Sequence, residues 1–152
     1  MPSRMIASRA EQELLQILAE FRYQLRAFLQ FSERAAEEAG LHPQQHQLLL
    51  QVAGAPPGVA VNIAYSAKRL GLHHNSAVEL VNRSVAQGLL VRASDPGDGR
   101  RVALEITAKG SKILKGLSKS HARELRELGP VLIRSLKRIE RVDRSRKRRR
   151  DR

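Results

Sequence analysis

Residues 62–107, NIAYSAKRLGLHHNSAVELVNRSVAQGLLVRASDPGDGRRVALEIT, decide how the chain folds. The first half has helical periodicity and the second alternates as a strand does. Asn62 is placed to cap a short helix, IAYSAKRLGL, which Gly71 closes. After His73 and His74 comes a second helical segment, NSAVELVNRSVAQGLL. Beyond Gly88 the pattern changes to LLVRAS, then DPGDG, then RVALEIT, in which Val102, Leu104 and Ile106 alternate. This predicts a hairpin whose turn dipeptides are Pro96-Gly97 and Asp98-Gly99, with Arg100 and Arg101 at its tip.

A helical wheel sharpens the reading of the second segment. At about 100° per residue, Ala77, Leu80, Val81, Ser84 and Gly88 gather on one side, while Asn75, Glu79, Asn82 and Arg83 gather on the other. One face packs and the other is free to read a ligand. Two short helices followed at once by a hairpin form the plan of a winged helix-turn-helix, in which the second helix enters a DNA major groove and the wing meets the backbone. The residue types on the free face suit that task. Asn pairs bidentately with adenine, Glu accepts from cytosine, and Val78 on the flank meets a thymine methyl. His73, His74, Asn75 and Ser76 fall in the first turn, near base edges and phosphates, with Asn75 or Ser76 alternatively serving as a helix cap. Arg100 and Arg101, beside a glycine-rich turn, are placed to reach a minor groove or phosphates, or to stand as a solvated charge pair.

Outward from this block, residues 8–39 hold no Gly or Pro, and Leu14, Leu18, Phe21, Leu25 and Phe28 recur at spacings of four and three. That predicts a long amphipathic helix whose narrow seam, widened by Leu15, Ile17 and Leu29, faces either the core or another subunit. Gly40 ends it, and LHPQQHQLLLQVAG reads as a second helix with Pro43 in its first turn, followed by the loop APPGV. After Thr107 a helical pattern runs through Ile113, Leu114, Leu117, Leu125 and Leu128, breaks at Gly129-Pro130, and resumes with Leu132, Leu136 and Ile139. The expected divisions are an N-terminal dimerisation helix (1–39), a DNA-binding lobe (40–110), C-terminal dimerisation helices (111–142) and a basic tail (143–152). The fold class is mainly α with a small β-hairpin wing.

Composition agrees. A chain of 152 residues suits one compact module, and a formal charge of +13 favours a polyanionic partner. Residues 141–152 supply eight of the basic residues against two acids, yet the body stays basic without them. Aromatic residues make up only 3%, which argues against a base-stacking single-strand binder. There is no cysteine, so disulfides and thiolate metal sites are excluded. No signal peptide or membrane span is legible, and a cytoplasmic location without membrane association is expected. The chain lacks a G-x-S-x-G elbow, an H-E-x-x-H zinc motif, a P-loop and a dinucleotide fingerprint, so neither catalysis nor a cofactor is expected. His42 and His46 stand four apart, a metal-compatible spacing, but Pro43 and the want of a matching carboxylate or Cys point to no metal.

The central motifs resemble those of the MarR family of transcriptional regulators, and the resemblance runs from about residue 14 to 139. They stand here as Leu70-Gly71-Leu72, Gly88-Leu89, Asp98-Gly99-Arg100 and Thr107-Ala108-Lys109-Gly110, in the family's order. Ser66 and Ser84 depart from it, replacing common core leucines, as does Glu79, where a polar or basic reader is frequent. The resemblance implies that Arg100 inserts into the minor groove while Asp98 orients the wing. It also implies a homodimer, held by the first and last helices, on a pseudo-palindromic double-stranded operator. A small aromatic or phenolic effector is a further implication, with Phe28, Phe31, His42, His46 and Tyr65 as candidate pocket residues or plain core. The competing class is a sequence-indifferent nucleic-acid binder, associated with chromatin or RNA, that uses the tail as a polycationic arm.

Overall fold

The computed structural model describes residues 9–95 and 97–150, with the side chains of residues 95, 98–101 and 145–150 outside the description. In chain order the elements are α1 (Arg9–Glu38), α2 (Pro43–Ala53), α3 (Ile63–Leu70), α4 (His74–Ala86), β1 (Leu90–Asp95), β2 (Asp98–Ile106) and α5 (Ala108–Arg150). The chain forms two compact units. Residues 32–120 make a lobe; residues 9–31 and 121–150 make a helical unit.

Three helix ends in the lobe share one device. Gly40, Gly71 and Gly88 all have positive φ, and each is followed by a leucine. The amides of Leu41, Leu72 and Leu89 reach back to the carbonyls of Ala36, Ala67 and Ser84, each at 2.9 Å. This left-handed ending satisfies carbonyls that a helix would otherwise leave bare and swings the leucine inward. Leu41 and Leu89 are buried and Leu72 packs against the core. The Gly-Leu pairs of the sequence are therefore stop signals that also supply core side chains.

The lobe core gathers Leu48, Leu49 and Val52 from α2, Leu80 and Val81 from α4, Leu89, Leu90 and Leu104 from the hairpin, and Leu114 and Leu117 from α5. The strands pair antiparallel, Leu90 opposite Ile106 through Ser94 opposite Val102. The register then slips, so that Asp95 faces Asp98 and residues 99–101 fall in the irregularity. Asp98-Gly99, expected as part of the turn, lies instead in β2, because the slip lets the chain reverse one step earlier, between Asp95 and Asp98. At the other edge of β2 the Leu104 amide donates to the Val61 carbonyl at 2.8 Å, tying the hairpin to the segment before α3.

In the helical unit, α1 and α5 run antiparallel. Glu13 meets Arg138 at 3.8 Å, and Phe28 and Phe31 meet His121 with ring centroids 6.0 and 5.4 Å apart. Ile17 is the buried apolar residue of α1 here, while Leu18, expected in the seam, is exposed. On α5 the buried positions Leu128, Ser135 and Val142 are spaced by seven. The expected break at Gly129-Pro130 is absent, and α5 is one helix of 43 residues. Proline deletes one amide and crowds the carbonyl four residues back. Both Pro130 and Arg126 are exposed, so water can serve that carbonyl while the buried spacing carries the helix through.

Candidate nucleic-acid interface

The lobe holds α4 by one face only. Ala77, Leu80, Val81 and Ser84 are buried as the wheel predicts, while Asn75, Ser76, Glu79, Asn82 and Arg83 are exposed and Val78 is half-buried. Gly88 lies beyond the helix, in its left-handed stop. The N-cap of α4 is His73, which makes no side-chain capping bond. Asn75 and Ser76 are therefore not caps. With His74 they occupy the first turn, where amides lacking an intrahelical partner give the helix end its affinity for anions.

α3 is anchored more conventionally. Asn62 Oδ1 accepts from the Tyr65 amide at 2.9 Å, as the capping pattern predicts. Ser66 and Ser84, which stand where leucines are common, are both fully buried. Ser84 Oγ donates to the Leu80 carbonyl at 2.8 Å, whereas Ser66 Oγ has no partner among the described residues.

The far end of α4 is fastened to the wing and to α5 by contacts that the residue pattern alone did not announce. Thr107 Oγ1 donates to the Gly88 carbonyl at 2.6 Å and accepts from the Gly110 amide at 3.0 Å. Thr107 thus caps α5 while gripping the stop of α4. Gly110 is fixed by space, since a Cβ there would lie 2.4 Å from the Leu89 carbonyl oxygen. The T-x-x-G motif is accordingly a joint: Thr supplies the cap and Gly the close approach. Lys109 Nζ donates to the Gln87 carbonyl at 2.8 Å, placing a cation at the negative end of α4. From α2, Gln45 Nε2 donates to Gln87 Oε1 at 3.0 Å.

Arg92 is the functional candidate that sequence reasoning missed. It lies two residues after Leu90 on β1, hence on the same face of the hairpin, and its Nη2 donates to Asn82 Oδ1 at 2.5 Å. Strand alternation held that signal, but only the packing of β1 against α4 supplies its partner. Asp98, Arg100 and Arg101 have backbone in β2, and their side chains lie outside the described residues.

The five residues considered for an effector pocket divide between the units. Phe28 and Phe31 are half-buried and share the ring cluster with His121. In the lobe, His42 is the exposed N-cap of α2, its Nδ1 accepting from the Gln44 amide at 3.3 Å. His46 is buried in α2, and Tyr65 is half-buried on α3. A concavity of about 550 Å³ along α5 is lined instead by Ala108, Ser111, Lys112, Lys115, Gly116 and Lys119. Residues 108–123 carry five cations and no acid, which makes this helical stretch strongly basic.

Comparison with known proteins places this architecture. The model of the MarR family matches residues 39–101, the segment that holds α2, α3, α4, β1 and the start of β2. A Thauera aromatica protein assigned as the transcriptional regulator for the hcr operon is 30% identical over 103 residues, which is 68% of this chain. The chain spans 60% of the length of that curated relative. Among solved structures, the repressor CouR on a 23-mer DNA duplex is 28% identical with a TM-score of 0.59, covering 76% of this chain and 80% of its own. The MarR family transcription regulator SP03579 aligns over 90% of this chain and 89% of its own at a TM-score of 0.68, with 17% identity. The likeness to SP03579 is one of fold, extending over α1 and α5 as well as the lobe. No helix among the described residues is long and apolar enough to cross a membrane. With the family model on the lobe, a regulator as relative and the same winged fold in its neighbours, this chain belongs to the MarR family.

Proposed function

We propose that the protein is a cytoplasmic, sequence-specific DNA-binding transcriptional regulator, a homodimer that represses from a pseudo-palindromic operator and is released by a small-molecule effector. One observation carries this reading. The inner face of α4 is wholly used by the lobe core, which leaves Asn75, Ser76, Glu79, Asn82 and Arg83 on the outer face without a packing role. A rigidly held helix with a polar outer face is what major-groove readout requires. CouR, the 28% identical relative of the same fold, was solved on a DNA duplex. In the proposed complex His73, His74, Asn75 and Ser76 approach phosphates and base edges, and Val78, Glu79, Asn82 and Arg83 extend the contact along the groove. The wing, through Arg100 and Arg101 with Asp98 as its orienting residue, reaches the minor groove or its phosphates.

Exposed apolar side chains in the helical unit support the dimer. Leu15, Leu18 and Leu29 share a stripe on α1, and Leu125, Ile133 and Leu136 share one on α5. Water is a poor partner for so much aliphatic surface, and a second copy of the chain would cover it. Effector control follows the relatives. CouR from Rhodococcus jostii RHA1 has been solved with p-coumaroyl-CoA, an aromatic thioester. In this chain the rings of Phe28, Phe31 and His121 offer aromatic faces within the helical unit, and His42, His46 and Tyr65 are separate candidates within the lobe. An effector that favours one dimer geometry over another changes the spacing of the two reading helices and so the affinity for DNA.

Selection of genomic fragments by the purified protein, followed by sequencing, tests the reading. The expected product is an inverted repeat whose half-site centres lie about one helical turn of DNA apart, retained in excess random duplex at moderate salt. Retention without sequence preference would instead establish the sequence-indifferent binder. Within a selected site, Arg100→Ala should lower the salt dependence of binding by roughly one counterion per lost phosphate contact.

A further inference from the structure

Resting on the groove-reading role of α4, the hydrogen bond between Arg92 Nη2 and Asn82 Oδ1 carries a consequence for which base is read. A guanidinium has donors only, so the partner atom of Asn82 must be its amide oxygen, and the amide orientation is thereby fixed. The bond is charge-assisted, hence stronger than a bond between neutral groups. The amide nitrogen, with two N–H donors, is left to point away from Arg92. Among the described residues no carboxylate pairs with Arg92 to draw it off.

We infer that Arg92 is a positioning residue that holds Asn82 as a donor toward the groove, so that the pair reads an accepting base edge rather than adenine. Asparagine recognises adenine by accepting from N6–H₂ while donating to N7, which needs its oxygen aimed at the base. With that oxygen held by Arg92, the outward amide matches the O6 and N7 acceptors of guanine, or the O4 of thymine. An unrestrained asparagine at this place on α4 would favour adenine. The cross-link from β1 therefore alters the code of the reading helix without touching a base. Arg92 keeps further N–H donors for the phosphate backbone, so it also contributes affinity that is independent of sequence.

The test is selection from DNA with randomised half-sites, followed by sequencing, for the full chain and for Asn82→Ala and Arg92→Ala. The wild type should enrich guanine or thymine at one position per half-site, and Asn82→Ala should lose preference at that position alone. Arg92→Ala should turn the same position toward adenine by roughly fivefold or more. It should also bind all sequences more weakly with a shallower salt slope. Unfolding midpoints should match the wild type, since both side chains are exposed. Three results would overturn the inference: adenine at the Asn82 position in the wild type, an unchanged base preference in Arg92→Ala, or no position that responds to Asn82→Ala. A wild type that selects no motif at all would bring down the regulatory reading itself, a failure distinct from these three.

Discussion

The lobe of residues 32–120 and the helical unit formed by α1 and the latter part of α5 dispose of their apolar side chains in opposite ways. In the lobe, leucines and valines from two helices, a hairpin and the first turns of α5 close on one another, and several have no exposed surface at all. In the helical unit, Leu15 is 56% exposed, Ile133 53% and Leu136 49%. A lobe with a closed core can hold a reading helix rigidly by itself. An elongated pair of helices has too little inner surface to bury both of its apolar stripes, and these are the faces on which the proposed second copy would pack.

Placing charge in the unfinished stripe should have the largest effect. Ile133→Glu combined with Leu136→Glu should yield a monomer by sedimentation and weaken binding to a two-half-site operator by roughly 100-fold or more, because one half-site can no longer assist the other. Circular dichroism should show the lobe still folded. A variant that stayed dimeric with full affinity would mean that the helical unit is not where subunits meet.

Next in size is the joint inside the lobe. Gly110→Ala drives a methyl group against the Leu89 carbonyl and should cost about 2–3 kcal/mol by urea unfolding. Gly116→Ala, six residues on in the same helix, has open space at its Cβ and should instead gain up to about 1 kcal/mol from helix propensity. Equal effects at the two glycines would show that the close contact with Leu89 does not matter.

Ser66→Ala should stabilise the lobe by about 1 kcal/mol, because it removes a fully buried hydroxyl that has no partner among the described residues. A loss of stability in denaturant titration would reveal a partner for that hydroxyl. Smallest of all, Glu13→Ala should shift stability by less than about 0.5 kcal/mol, since the ion pair it makes with Arg138 spans 3.8 Å between half-exposed side chains.

The contrast also explains what could be read in advance. The α3–α4–hairpin lobe was legible because each of its signals is local. Asn62 precedes the helix it caps, glycine followed by leucine marks a helix stop, and the wheel of α4 separates its buried from its exposed residues. Misreadings arose where a distant partner decides the outcome. Pro130 read as a break, yet the buried seam of Leu128, Ser135 and Val142 sustains α5 through it. In the candidate site, the exposed face of α4 followed from periodicity, whereas Arg92 did not, because its significance rests on Asn82, which belongs to another element.

The helix stops of the lobe, the alternating hairpin and the polar face of α4 are consequences of the order of residues, since backbone geometry and side-chain periodicity act over a few positions. Tertiary packing alone decided that Thr107 and Gly110 lock the wing to α4, that Ser66 is fully buried, and that Arg92 fixes the amide of Asn82. Those depend on which atoms meet through space, at distances of a few ångströms between groups such as Thr107 and Gly88, 19 residues apart along the chain.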